Sequence, residues 1–166
     1  MSDPYFERFA GPLGHVILEF NYLEVDGGRM IARLLRQDDV TAGVFAGTLS
    51  FLDKLKLIQR LVVLKVQDEA LRNEFNKLVK EATTINELRN RYVHAEYMPV
   101  IGSSDELLKM LHRRLKDADK TVDHSKDIHD LLQPVDDEAL KKLASDIHDL
   151  AYRMRVLAER FVDSQP

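Results

Sequence analysis

Residues Leu71 to Tyr97, LRNEFNKLVKEATTINELRNRYVHAEY, decide the fold. Leu71, Phe75, Leu78, Ala82 and Ile85 recur in steps of four and three, which is one face of an α-helix. At about 100° per residue, Arg89 falls near the middle of that face, where another leucine is expected. Asn86, Asn90, His94 and Tyr97 follow at helical spacing along one border of it. A core-facing stripe thus turns polar at its end, with a cation, amides, an imidazole and a phenol. An unpaired buried charge costs several kcal/mol, so Arg89 requires a carboxylate, a partner subunit or a bound anion.

Working outward, the same periodicity predicts helices over about 13–36, 49–66, 68–97 and 136–162. The first carries the stripe Leu13, Ile17, Phe20, Glu24, Gly27, Ile31 and Leu34, with a carboxylate at Glu24 in an apolar row. Gly27-Gly28 costs roughly 1 kcal/mol of helix propensity per glycine, which points to a kink or to close helix packing. Residues 38–47 read as a connection with some helical turn. In the second helix Lys54 lies beside the core stripe of Leu52, Leu55, Ile58 and Val62. The last helix follows Pro134, with Asp136 or Asp137 as its cap. Leu140, Leu143, Ile147, Leu150, Met154, Leu157 and Phe161 then alternate threes and fours, a seam fit for a bundle or a dimer.

The expectation is an all-α, antiparallel helical bundle forming a single domain over 1–166. Its core spans 13–97 and 136–162, and the excursion 99–133 is irregular or a small hairpin. Two patterns compete within the excursion. Ser103 and Glu106 have capping-box spacing, and Leu107, Leu111 and Leu115 have helical spacing. Residues 116–120 equally suit the turn of a hairpin.

Composition bounds the function. The 166 residues are 45% hydrophobic and 31% charged, as in a charge-rich globular protein. With no cysteine there is no disulfide, thiolate nucleophile or thiolate metal site. Together with an N-terminus lacking a signal-peptide pattern and no apolar run of ~20 residues, this suits a cytoplasmic protein without membrane association. The net charge of −4 gives no general attraction to nucleic acid, so an RNA contact must be local. Lys109, His112, Arg113 and Arg114 are the candidate phosphate contacts, in a basic stretch without interleaved aromatics. His124, Asp127, His129 and Asp130 do not put both histidines on one helix face, and H-E-x-x-H is absent. No metal and no cofactor is expected. Nucleophile-elbow, phosphate-loop and dinucleotide signatures are also missing.

Metal-free RNA cleavage needs a base for the ribose 2′-hydroxyl and positive charge for the phosphorane. Histidine is the side chain suited to proton transfer near neutrality, which makes His94 the candidate base or acid. Arg89 offers a planar fork to phosphate oxygens. Asn90, four residues before His94, can orient the imidazole or the phosphate. One protomer supplies one motif histidine, and a two-fold dimer would supply the second. Glu24, Lys54, Asn86 and Tyr97 are the supporting candidates. The bland reading stands beside this one: Arg89 pairs with Glu24 or Glu96, Glu24 and Lys54 form a buried pair, and His94 is a boundary residue.

Arg89-Asn90 with His94 after three further residues resembles the R-x(4–6)-H signature of HEPN domains, in which a polar residue commonly follows the arginine. Ile85-Asn86-Glu87-Leu88 is similar to the approach to that motif. Phe20-Asn21-Tyr22-Leu23-Glu24 and Leu49-Ser50-Phe51-Leu52-Asp53-Lys54 are similar to first- and second-helix patterns of some bacterial members. The resemblance covers about Leu13 to Tyr97 plus a generic last helix. It implies a helical bundle, usually dimeric, with two motifs facing one cleft. It also implies a metal-independent endoribonuclease of toxin, phage-defence or RNA-processing type, with Arg89, Asn90 and His94 acting on RNA. The alternative it implies is a non-catalytic dimerisation or interaction module with a protein partner or antitoxin. Toxin members that extend the motif to H-x-Y differ from this chain, whose His94-Ala95-Glu96-Tyr97 puts the tyrosine one residue later.

Overall fold

A computed structural model describes residues 4–101, 107–114 and 133–163. The elements in chain order are α1 (Pro4–Leu34), α2 (Asp39–Thr48), α3 (Phe51–Lys65), α4 (Glu69–Val93), β1 (Ala95–Ile101), β2 (Leu107–Arg114), β3 (Gln133–Val135) and α5 (Asp137–Asp163). The predominantly helical character expected from the periodicity is what the structure shows. These elements contribute to two compact units, one from 1–17 and 87–144, the other from 18–86 and 145–166.

Short polar side chains set the helix starts. Asp38 Oδ1 accepts from the Thr41 N–H at 2.9 Å, Ser50 Oγ from the Asp53 N–H at 3.3 Å, Asp68 Oδ1 from the Ala70 N–H at 2.8 Å, and Asp136 Oδ1 from the Ala139 N–H at 2.6 Å. The α1 C-terminus closes through paired bonds, from the Gln37 N–H to the Ala32 carbonyl and from the Arg36 N–H to the Arg33 carbonyl. Arg36 takes the left-handed position of this motif at φ 55°, where glycine is the usual occupant.

Helix α1 begins at Pro4 rather than near Leu13, so it runs through Pro12. One proline removes one helical hydrogen bond. Burial of Phe9 and Val16 on either side of it, and the Arg8 Nη2–Asp137 Oδ1 ion pair at 2.6 Å, hold the first turns in place. Residues 39–48 form a full helix where a connection is expected. Gly28 shows why α2 sits there: a Cβ would lie 2.7 Å from the Ala42 carbonyl oxygen and 2.9 Å from Ala46. The glycine pair therefore serves close packing.

The second unit is built from helices. Phe20 meets Phe51 edge to face at 4.9 Å, and Phe75 meets Phe161 at 5.8 Å. Glu19 pairs with His148, Asp26 with Arg155 and Arg33 with Glu159, so these parts of α1 and α5 lie side by side in the same direction. Glu74 pairs with Arg160 and Glu81 with Arg153, so α4 runs against α5. The seam Leu140 to Phe161 is buried at every expected position.

The first unit contains a sheet of order β1-β2-β3, with both neighbouring pairs antiparallel. Pro99 and Pro134 occupy β1 and β3, the two edge strands, where a missing N–H is tolerated. Strand β2 corrects the helical pattern of Leu107 and Leu111. In that strand Leu107 pairs with Ile101 and Leu111 with Met98, with a register irregularity between Val100 and Ile101. Ser103, Glu106, Leu115, the turn expected over 116–120 and the group from His124 to Asp130 lie outside the described residues.

Candidate functional site

Along α4 the stripe holds as far as it is apolar: Leu71, Phe75, Leu78, Ala82 and Ile85 are all buried. Arg89, next in the row, is half-buried. Its Nη1 donates to Asn90 Oδ1 at 2.8 Å, so the neighbouring amide fixes part of the guanidinium. A planar fork held this way keeps its donors in one orientation, which suits recognition of an oxyanion.

The helix expected to continue to Tyr97 ends at Val93, and Tyr97 lies on β1. The helix end explains how. The His94 N–H still donates to the Asn90 carbonyl at 3.3 Å, and the Tyr97 hydroxyl donates to the Tyr92 carbonyl at 2.7 Å. Two carbonyls of the last turn thus find partners beyond the helix, one of them on β1. Burial, with the neighbouring Tyr92, pushes the Tyr97 phenol up beyond the ordinary tyrosine range. Tyr97 is therefore a hydrogen-bond donor that closes the helix. His94 is exposed in the turn between α4 and β1, one helical turn after Asn90.

Strand register places the basic stretch. Ala95 pairs with Arg114, Glu96 with Arg113 and Tyr97 with His112, so three of the four candidate phosphate contacts stand opposite the residues that directly follow His94. Lys109 pairs with Val100, farther along the strand.

The other supporting candidates belong to the second unit. Lys54 is wholly buried, and its Nζ lies 2.8 Å from Glu24 Oε2. Glu24 is thus engaged by Lys54, as the bland reading expects of that pair. Asn86 is buried at 7% exposure. Asp26, outside the candidates that the sequence offers, is a buried carboxylate held by Arg29 at 3.0 Å and by Arg155 at 2.9 Å. Its signal is a second row on α1, Leu23-Asp26-Met30, at spacings of three and four. Also outside those candidates are two shallow cavities on the second unit. One of about 350 Å³ is lined by Glu81, Asp146, Asp149, Tyr152 and Arg153. The other, of about 260 Å³, is lined by Glu19, Tyr22, His148, Ala151, Tyr152 and Arg155. Neither is lined by a residue proposed for RNA chemistry.

Among the described residues no group of three or more His, Cys, Asp or Glu side chains is arranged to hold a metal ion, and no helix is long and apolar enough to cross a membrane. In comparisons with protein-family models, curated proteins and solved structures, nothing matches this chain.

Proposed function

We propose that this protein is a metal-independent endoribonuclease that acts on RNA phosphate through Arg89, Asn90 and His94. The observation that carries the reading is the placement around the end of α4. An arginine held by its neighbouring amide, an exposed histidine one turn later, and a β2 stretch carrying His112, Arg113 and Arg114 meet in one part of the fold. In this reading His94 takes the proton of the ribose 2′-hydroxyl, whose oxygen forms the new bond to phosphorus. The bond from phosphorus to the 5′-oxygen breaks, and the His94 of a second copy protonates that leaving oxygen. Arg89 stabilises the phosphorane charge, and the product is a 2′,3′-cyclic phosphate.

The test is cleavage of a mixed RNA pool by purified wild type, Arg89→Ala and His94→Ala. Wild type should cut in EDTA, leave cyclic phosphate ends and spare RNA with 2′-O-methyl groups. Arg89→Ala should lose ~100- to 1,000-fold in rate, the usual effect of removing one preorganised donor. Equal cleavage by all three would locate the activity elsewhere. No cleavage at high enzyme and low salt would reject the nuclease and leave a non-catalytic interaction module.

A further inference from the structure

The buried carboxylate of Asp26 takes two guanidinium groups. Its Oδ1 accepts from Arg29 Nη1 at 3.0 Å, and its Oδ2 accepts from Arg155 Nη2 at 2.9 Å and Nε at 3.3 Å. One negative charge thus holds two positive ones, and the triad carries one positive charge in excess. Both arginine side chains are 51% exposed, so that excess faces water. Arg155 commits Nε and Nη2 to Asp26, which fixes the plane of its fork and leaves Nη1. A guanidinium oriented in this way is ready for an oxyanion, the ligand that the surplus charge favours.

The surroundings add an aromatic wall. Within the second unit Arg155 lines the cavity of about 260 Å³ together with Glu19, Tyr22, His148, Ala151 and Tyr152. Tyr22 and Tyr152 are 61% and 62% exposed, so both rings are open to a planar ligand. Glu19 Oε2 lies 3.0 Å from His148 Nδ1, which engages that carboxylate and leaves Nε2 of the imidazole. Cavities for small molecules run from roughly 300 to 1,000 Å³, so this one suits a single small ligand. An aromatic ring for the tyrosines and a phosphate for Arg155 and His148 are what a nucleotide offers. On the other flank of Tyr152 the second cavity sets Glu81, Asp146 and Asp149 against Arg153. Three carboxylates against one arginine repel a phosphate, which leaves it the Arg155 flank. We propose that the α1–α5 cavity binds one nucleotide, free or as an unpaired residue of RNA, with the base against Tyr22 and Tyr152 and the phosphate at Arg155.

The test uses the full chain carrying His94→Ala, so that binding is read apart from any cleavage of RNA. Tyrosine ring resonances are followed by NMR during titration with uridine monophosphate, uridine, inorganic phosphate and a short oligouridylate. The Tyr22 and Tyr152 resonances should move with the nucleotide, and uridine or phosphate alone should bind roughly 10-fold or more weaker. Arg155→Gln should weaken nucleotide binding by roughly 10-fold or more, and Tyr152→Leu by about as much. Arg160→Gln removes the same charge from an exposed pair with Glu74 on the same helix and should leave binding unchanged. Movement with the oligouridylate alone would assign the site to RNA, and equal movement with the monophosphate would assign it to a free nucleotide. No movement of the two tyrosines with either, or equal losses in Arg155→Gln and Arg160→Gln, would overturn the proposal.

Discussion

The ammonium of Lys54 lies 2.8 Å from the carboxylate of Glu24, and the two ends of this ion pair differ in their access to water. The Lys54 side chain has no exposed surface, whereas Glu24 keeps 31% of its own. Removing Glu24 strands a charge in the core; removing Lys54 leaves a carboxylate that water can reach. Glu24→Ala should therefore cost about 3 kcal/mol, and Lys54→Met less than about 1 kcal/mol. Urea unfolding of the two variants measures the difference, and equal losses would refute this account of the pair.

The adjacent glycines of α1 should respond to alanine with opposite signs. At Gly27 a Cβ would sit 3.6 Å from the Lys54 side chain, an ordinary contact, so Gly27→Ala should gain up to about 1 kcal/mol of helix propensity. At Gly28 the Cβ would press on the backbone of α2 at 2.7 Å. Overpacking of about 1–3 kcal/mol then outweighs the propensity gain. Thermal unfolding should rank Gly27→Ala above wild type and Gly28→Ala below it.

Acid stability should carry a contribution from Asp137. Hydrogen bonds from Arg8 and Lys141 hold its carboxyl at about 2, below its ordinary 3.8. The folded value is lower than the unfolded one, so the contribution is complete above 3.8 and disappears as pH falls through about 2. Asp137→Asn should make the loss of stability across that window shallower. Urea midpoints above and below the window provide the measurement, and an unchanged acid limb would remove Asp137 from the account.

At the candidate site, Asn90 acts through Arg89. Asn90→Ala removes the oxygen that holds Arg89 Nη1 but leaves the guanidinium itself. Its loss in kcat should be smaller than the ~100- to 1,000-fold expected for Arg89→Ala. Asn90→Asp keeps an acceptor for Arg89 while adding negative charge near the phosphate, so it should raise KM more than it lowers kcat. Steady-state cleavage by the three variants separates these effects. An Asn90→Ala enzyme as impaired as Arg89→Ala would make Asn90 a direct participant.

The seam from Leu140 to Phe161 and the row from Leu71 to Ile85 were legible in the sequence because helical burial repeats every three or four residues. Arg89 stood out for the same reason, as a cation in that row. The helix start at Asp136 was legible because its capping bond reaches only three residues along the chain. Tertiary structure decided what depends on distant partners. Strand β1 forms from residues 95–101 because β2 lies alongside, and no local periodicity announces that pairing. Leu107 and Leu111 have helical spacing, and the pairing with β1 places them on a strand instead. Asp26 is held partly by Arg155, 129 residues away, and Lys54 finds Glu24 across 30 residues. A buried charge is stable only beside its partner, and the fold alone brings such partners together.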